Sequence, residues 1–178
     1  SFKDTDGLTF ESAYGMLCMK LAFAFQDYQF LLDDDAISDD DKGIFKRILG
    51  RTASMDETKS CFLLLTRMLE IHFKKSAVII LDEYDVPIAK ASSNGYYSQM
   101  LDVMRAIMST TLKDNTSLDF AVVTGCLKIA KESIFTGTNN FVSDTILSPR
   151  LSESFGFTQA DVDQMLNDAG LESIPFPW

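Results

Sequence analysis

A layered α/β fold is predicted by three features of this 178-residue chain. Residues 77–81 (Ala-Val-Ile-Ile-Leu) and 118–124 (Leu-Asp-Phe-Ala-Val-Val-Thr) are apolar runs rich in β-branched residues, of strand length. Helical periodicity fills the segments around them. Runs of this kind are strands of a parallel sheet whose faces helices cover, so each is expected to be buried on both faces.

The elements follow in order. Thr9 is a helix N-cap; after it Phe10, Ala13, Tyr14, Leu17, Cys18, Leu21, Ala22 and Phe25 recur at helical spacing, up to an acidic turn at Asp33-Asp34-Asp35. Ser38, with Asp41 three residues on, starts a short helix carrying Ile44, Phe45, Ile48 and Leu49. Ser54 and Glu57 form a capping box for a third helix with the stripe Cys61, Phe62, Leu65, Met68 and Leu69. The strand at 77–81 comes next. A polar loop, Ser92-Ser93-Asn94-Gly95, precedes a helix bearing Met100, Leu101, Met104, Ile107, Met108 and Leu112, and the strand at 118–124 ends at Gly125. Residues 126–150 show little periodicity, with a further strand expected near Val142–Leu147. Thr158 and Asp161 cap a final helix containing Val162, Met165 and Leu166, stopped near Gly170. Domain organisation is therefore one α/β unit over 1–170 and a tail over 171–178, where two prolines argue against helix.

Composition narrows the functional classes. Apolar residues make up 46 % and aromatics 11 %, enough for a packed core. The formal charge of −10 disfavours nucleic acid and anionic membranes as direct partners, and the densest basic groups are pairs such as Lys46-Arg47 and Lys74-Lys75. One histidine and three scattered cysteines (Cys18, Cys61, Cys126) give no zinc-site spacing. Cys18 and Cys61 fall on apolar helix faces, the place of small buried hydrophobes, and a reducing, cytoplasmic setting follows. No apolar run reaches the roughly 20 residues of a membrane span. The start at Ser1, without Met, suggests that sequence upstream belongs to the natural protein.

The chemistry concentrates where the first strand ends. Asp82-Glu83 puts two carboxylates at the carboxyl edge of the sheet, the side on which open α/β sheets bind ligands. A buried strand closed by two acids is the Walker B pattern, in which the Asp supports Mg²⁺ and the next acid polarises water for attack on phosphate. Acids also end strands simply to solubilise them. Thr124 closes the second strand with a small hydroxyl, either a polar sensor of phosphate or water, or a cap on the following turn. A Walker A loop needs Gly-x-x-x-x-Gly-Lys-Ser/Thr, and none of the nine glycines is followed by Lys. Without that cradle the carboxylates repel a polyphosphate, so this polypeptide alone is not expected to hydrolyse ATP.

Three blocks resemble a known family. Leu81-Asp82-Glu83-Tyr84-Asp85-Val86-Pro87-Ile88 is similar to the Walker B region of the AAA-ATPase-like family, bacterial proteins related to the AAA and STAND ATPases. Thr124–Gly137, continuing through Asn139-Asn140-Phe141, resembles its sensor block, and Ser152–Thr158 a third block before a helix. The segment Ser1-Phe2-Lys3-Asp4 resembles the strand end that follows the family's P-loop. The resemblance implies a three-layer α/β/α P-loop NTPase-like sheet, mostly parallel, of order 5-1-4-3-2 and incomplete here, with 77–81 third and 118–124 fourth. It implies ATP and Mg²⁺ as cofactors of the parent protein, Asp82 as metal support, Glu83 as the water-activating base and Thr124 as sensor. Arg150 would contact phosphate or a neighbouring domain, or be a surface arginine. The implied partners are an N-terminal P-loop segment and a C-terminal PD-(D/E)XK nuclease-like domain. The free edge of strand 118–124 is expected to be covered by another segment, an otherwise unassigned part of the chain, or a second copy. The rival reading is a non-catalytic interaction or regulatory module on the same scaffold. A nuclease is the weaker third: Lys131-Glu132 stands without an Asp…Glu-x-Lys array on adjacent strands.

Overall fold

The structure is a computed structural model that describes residues 1–113, 115–126, 142–145, 148, 150 and 156–171. It divides into two compact units, Ser1–Thr138 and Asn139–Trp178.

In the first unit, α1 (Phe10–Gln26) begins at Thr9, whose hydroxyl accepts from the Ser12 N–H. A 3₁₀ turn (Gln29–Asp33) follows, so the helix ends before the acidic residues expected to break it. Ser38 caps α2 (Asp39–Leu49), whose first turn holds three aspartates and whose last turn holds Lys46 and Arg47, complementing the helix dipole at both ends. The Ser54–Glu57 capping box is present, but it starts the five-residue α3 (Met55–Lys59). The apolar stripe belongs to a separate helix, α4 (Cys61–Phe73). One expected helix is thus two, divided at Ser60, whose backbone (φ −105°, ψ 12°) leaves helical geometry. Arg47 pairs with Glu57 at 2.5 Å and Arg67 with Asp41, tying α2 to α3 and to α4. Arg47 holds the Glu57 carboxyl down at about 2.

Strand β1 (Ala77–Leu81) leads into α5 (Val86–Asn94), started by Pro87 in its first turn. The polar run Ser92-Ser93-Asn94, expected to be loop, is the exposed last turn of α5; Gly95, at φ 83°, supplies the left-handed residue that ends it. Next come α6 (Tyr97–Leu112) and β2 (Leu118–Val123). The two strands pair in parallel, Val78 opposite Phe120 and Leu81 opposite Val123, with an irregularity between Ala77 and Val78. The core lies on one side of this pair, where Leu17, Phe25, Phe45, Met68, Met100, Met104 and Ile107 are inaccessible to solvent.

The other face differs from expectation. Val78, Ile80, Phe120 and Val122 are 44–70 % exposed, so the sheet is buried on one face only. The observed architecture is α/β, with a two-stranded parallel sheet among the described residues. A continuous apolar run encodes two coverable faces, and these residues supply a helical layer for one of them.

Glu70 of α4 sets the amino end of the sheet. Its carboxylate accepts from Ser76 Oγ (3.2 Å) and from Ser117 Oγ (2.6 Å), the residues just ahead of β1 and β2. One side chain therefore aligns both strand starts on the helix layer.

In the second unit, Asp144 pairs with Arg150, and α7 (Gln159–Asp168) carries the Thr158–Asp161 capping box and ends before Gly170 at φ 69°. Residues 142–145 form no strand; the rest of the strand expected at Val142–Leu147, most of the second and third sequence blocks, and the tail beyond Leu171 lie outside the described residues.

Replacing Glu70 by Ala removes two charge-assisted hydrogen bonds and leaves the buried Ser117 hydroxyl without its acceptor. The expected cost is about 1–3 kcal/mol, read as a lower urea midpoint at unchanged m-value. An unchanged midpoint would show that the strand starts are aligned by other contacts.

Candidate functional site

The parallel ladder brings the two strand ends together at the carboxyl edge. The Thr124 N–H donates to Leu81 O (2.8 Å) and the Tyr84 N–H to Thr124 O (3.2 Å), so the pairing runs past both strands. With the backbones held in this way, Thr124 Oγ1 donates to Asp82 Oδ1 at 2.5 Å, across 42 residues of sequence. Both residues are exposed to solvent. A hydroxyl donor fixes the plane of the carboxylate it meets.

Glu83 sits in the left-handed region at φ 57°. A side chain there costs about 1–2 kcal/mol, because its Cβ crowds the following carbonyl. The turn lies within the four residues, Asp82 to Asp85, that join β1 to α5. Glu83 Oε2 accepts from Ser1 Oγ at 2.6 Å. Strain of this kind is concentrated at functional positions, where the rest of the structure holds it.

Beneath the exposed acids lies a buried layer. Asp85 is 2 % exposed, and its backbone carbonyl accepts from the Ile88 and Ala89 N–H groups to start α5. Burial, with Asp85 as the second cause, pushes the Tyr84 hydroxyl above its ordinary value, so that it stays a neutral donor. Gly125 lets β2 leave the sheet against this layer: a Cβ there would lie 2.5 Å from Asp85 Oδ1 and 2.7 Å from Tyr84 Cε1. The spacing of Asp85 from Asp82 and the Gly after Thr124 were the only sequence signals for these two positions. Nothing in the sequence marked Ser1 as the partner of Glu83.

Asp82, Glu83 and Thr124, the three candidates near the strand ends, are therefore neighbours. Arg150 belongs to the second unit, where Asp144 engages it through Nε at 3.1 Å and through Nη2; this raises the arginine's pKa and lowers that of Asp144. Among the described residues no three His, Cys, Asp or Glu side chains converge as a metal cage. The donor set at the edge is all oxygen, carboxylate with hydroxyl. That suits Mg²⁺, which takes one or two carboxylates and completes its octahedron with water and substrate phosphate.

Residues 10–135 match the model of a protein family described as predicted AAA-ATPase. This chain belongs to the AAA-ATPase-like family. Over 121 residues it is 29 % identical to an uncharacterized protein encoded in the vnfD 5′ region of Azotobacter chroococcum mcd 1, an alignment covering 67 % of this chain and 23 % of that protein. The chain thus spans about a quarter of the relative's length. No solved structure matches it. No helix among the described residues is long and apolar enough to cross a membrane.

The strained turn gives a separable signature. Glu83→Gly releases the left-handed penalty and adds the entropy cost of glycine, so stability should stay level or rise by about 1 kcal/mol. Thermal unfolding checks this, and a fall of more than about 1 kcal/mol would show that the Glu83 side chain stabilises the fold.

Proposed function

We propose that this AAA-ATPase-like chain is the Walker B and sensor part of a Mg²⁺-dependent ATPase whose phosphate cradle lies elsewhere in a longer polypeptide. The observation that carries the reading is the Thr124–Asp82 hydrogen bond at the carboxyl edge of two parallel strands, with Glu83 held in a strained turn beside it. Family membership over residues 10–135 supports the same chemistry.

In this reading Asp82 would hold Mg²⁺, and the ion would supply charge neutralisation for the phosphates. Thr124 orients the Asp82 carboxylate by donating its hydroxyl hydrogen bond to Oδ1. Glu83 takes a proton from the water that attacks the γ-phosphorus; the bond to the bridging oxygen breaks, and ADP and inorganic phosphate leave. Ser1 Oγ, 2.6 Å from Glu83 Oε2, occupies a position that a water hydroxyl can take relative to that carboxylate. Because none of the nine glycines here precedes a lysine, binding of the triphosphate depends on residues outside this chain. The hydrolysis is read as driving a conformational switch.

One observation favours the rival reading, a regulatory or interaction module without turnover: the oxygens of Asp82 and Glu83 already have hydroxyl donors within the protein. The two are separated by Mg²⁺-ATP titration of the full-length protein. ATPase activity that falls about 10²–10⁴-fold in Glu83→Gln, with ATP still bound, is the expected result. Wild-type turnover in Glu83→Gln, or no binding at millimolar ATP, would overturn the ATPase reading.

A further inference from the structure

Residues 1–7 and helix α5 are fastened to each other at both ends. At the carboxyl edge of the sheet the Phe2 N–H donates to Asp82 O at 2.9 Å, and Ser1 Oγ donates to Glu83 Oε2 at 2.6 Å. Further along, Asp6 pairs with Lys90 of α5 at 3.7 Å. At the far end, where α5 turns through Gly95 into α6, Gly7 O accepts from Asn94 Nδ2 at 3.2 Å and from the Tyr96 hydroxyl at 2.7 Å. The contacts keep the same order in both segments, so residues 1–7 run alongside α5 as a strap.

Between its fastenings the strap has little freedom. The Thr5 N–H donates to Phe2 O at 3.1 Å, closing a turn in which Asp4 takes a left-handed φ of 62°. Phe2 is 4 % exposed and Thr5 is inaccessible to solvent. Gly7 is pressed on the first turn of α1: a Cβ there would lie 2.6 Å from Ala13 N and 2.9 Å from Ser12 Cβ. Its carbonyl is thus placed by α1 and captured by the corner between α5 and α6. Tyr96 is 6 % exposed, and its ring meets Phe10 of α1 edge-on at 6.4 Å. A buried hydroxyl bonded to a fixed carbonyl makes a firm anchor, because leaving either group unpaired carries its full desolvation cost.

Glu83 is the residue this frame acts on. Its backbone is held in the left-handed region, and its carboxylate stands at the end of a flexible side chain. Among the described residues that carboxylate accepts one hydrogen bond, from Ser1 Oγ. The bond holds Oε2 and leaves Oε1 to take a proton.

We propose that residues 1–7 are a positioning strap for Glu83, anchored at Gly7 by Tyr96, so that the α5–α6 corner sets where the Glu83 carboxylate stands. Tyr96 is then a positioning residue for the water-activating step, acting through Gly7 and Ser1. Its role in turnover rests on the reading of Glu83 as the base, whereas the strap itself does not. The corner is a place from which turnover is adjusted without contact with the nucleotide.

Tyr96→Phe in the full-length protein removes the anchoring hydroxyl and keeps the ring. Turnover at saturating Mg²⁺-ATP should fall about 10-fold while KM stays within about twofold, since a misplaced base slows the chemical step and leaves binding alone. Ser1→Ala should do the same, and the double variant should be no slower than Ser1→Ala. Unchanged turnover would overturn the proposal. So would losses that multiply in the double variant or a KM that rises with them, because Tyr96 would then be a general structural support. Amide exchange reads the strap without nucleotide. The Phe2 amide should exchange at least about 10-fold faster in Tyr96→Phe, while the Ala77 and Thr124 amides, bonded within the sheet, keep their rates. If the wild-type protein turns over no ATP, the ATPase reading falls and exchange alone decides the strap: a faster Phe2 amide supports it, and an unchanged one overturns it.

Discussion

Parallel pairing of β1 with β2 is the constraint on which the rest of this structure depends. A parallel pair cannot be closed by a tight turn, and its crossover here consists of α5 and α6 packed back on the same layer. Glu70 aligns the strands at their amino ends through Ser76 and Ser117. The ladder then carries that alignment to the carboxyl end, where Thr124 reaches Asp82. Had β2 slipped by one residue, the Thr124 hydroxyl would point to the other face of the sheet and Asp82 would lose its donor. The site is thus a consequence of register, and register is set at the opposite end of the sheet.

The carboxyl edge combines exposed acids with a rigid support. Asp82 and Thr124 meet solvent, while Asp85 and Pro87 just beyond them are buried and begin α5. Between the two layers Glu83 adopts a backbone conformation that side chains disfavour. The close approach of Gly125 to Asp85 and Tyr84 holds the two strand exits against each other. The chain accepts a conformational penalty at Glu83, as it does at Asp4, Arg51 and Lys74.

How much of this was legible depended on whether the signal was local. Caps at Thr9, Ser38, Ser54 and Thr158 were readable because a short polar side chain three residues ahead of its partner is a local hydrogen-bonding pattern. Both strands were readable from β-branched content alone. The break at Ser60 was not, since apolar spacing continues across it and packing decides. Ser92-Ser93-Asn94 misled because polar residues suit both a loop and the solvent face of a terminal helical turn. The exposed face of Val78, Ile80, Phe120 and Val122 could not be foreseen, as an apolar residue does not say which neighbour covers it. Of the candidate site, Asp82, Glu83 and Thr124 were legible as strand-end polar residues. The roles of Ser1, Phe2 and Gly125 arise from contacts across the fold that no local pattern encodes.

The central claim is that Asp82 and Thr124 act as one unit at the sheet edge. A double-mutant cycle on Mg²⁺-ATP affinity in the full-length protein, with Asp82→Asn, Thr124→Val and the pair, tests it most directly. If Thr124 works only by orienting the Asp82 carboxylate, the double variant should bind no more weakly than Asp82→Asn alone. Fully additive losses would contradict the account, because they would mean that the two side chains meet the ligand independently.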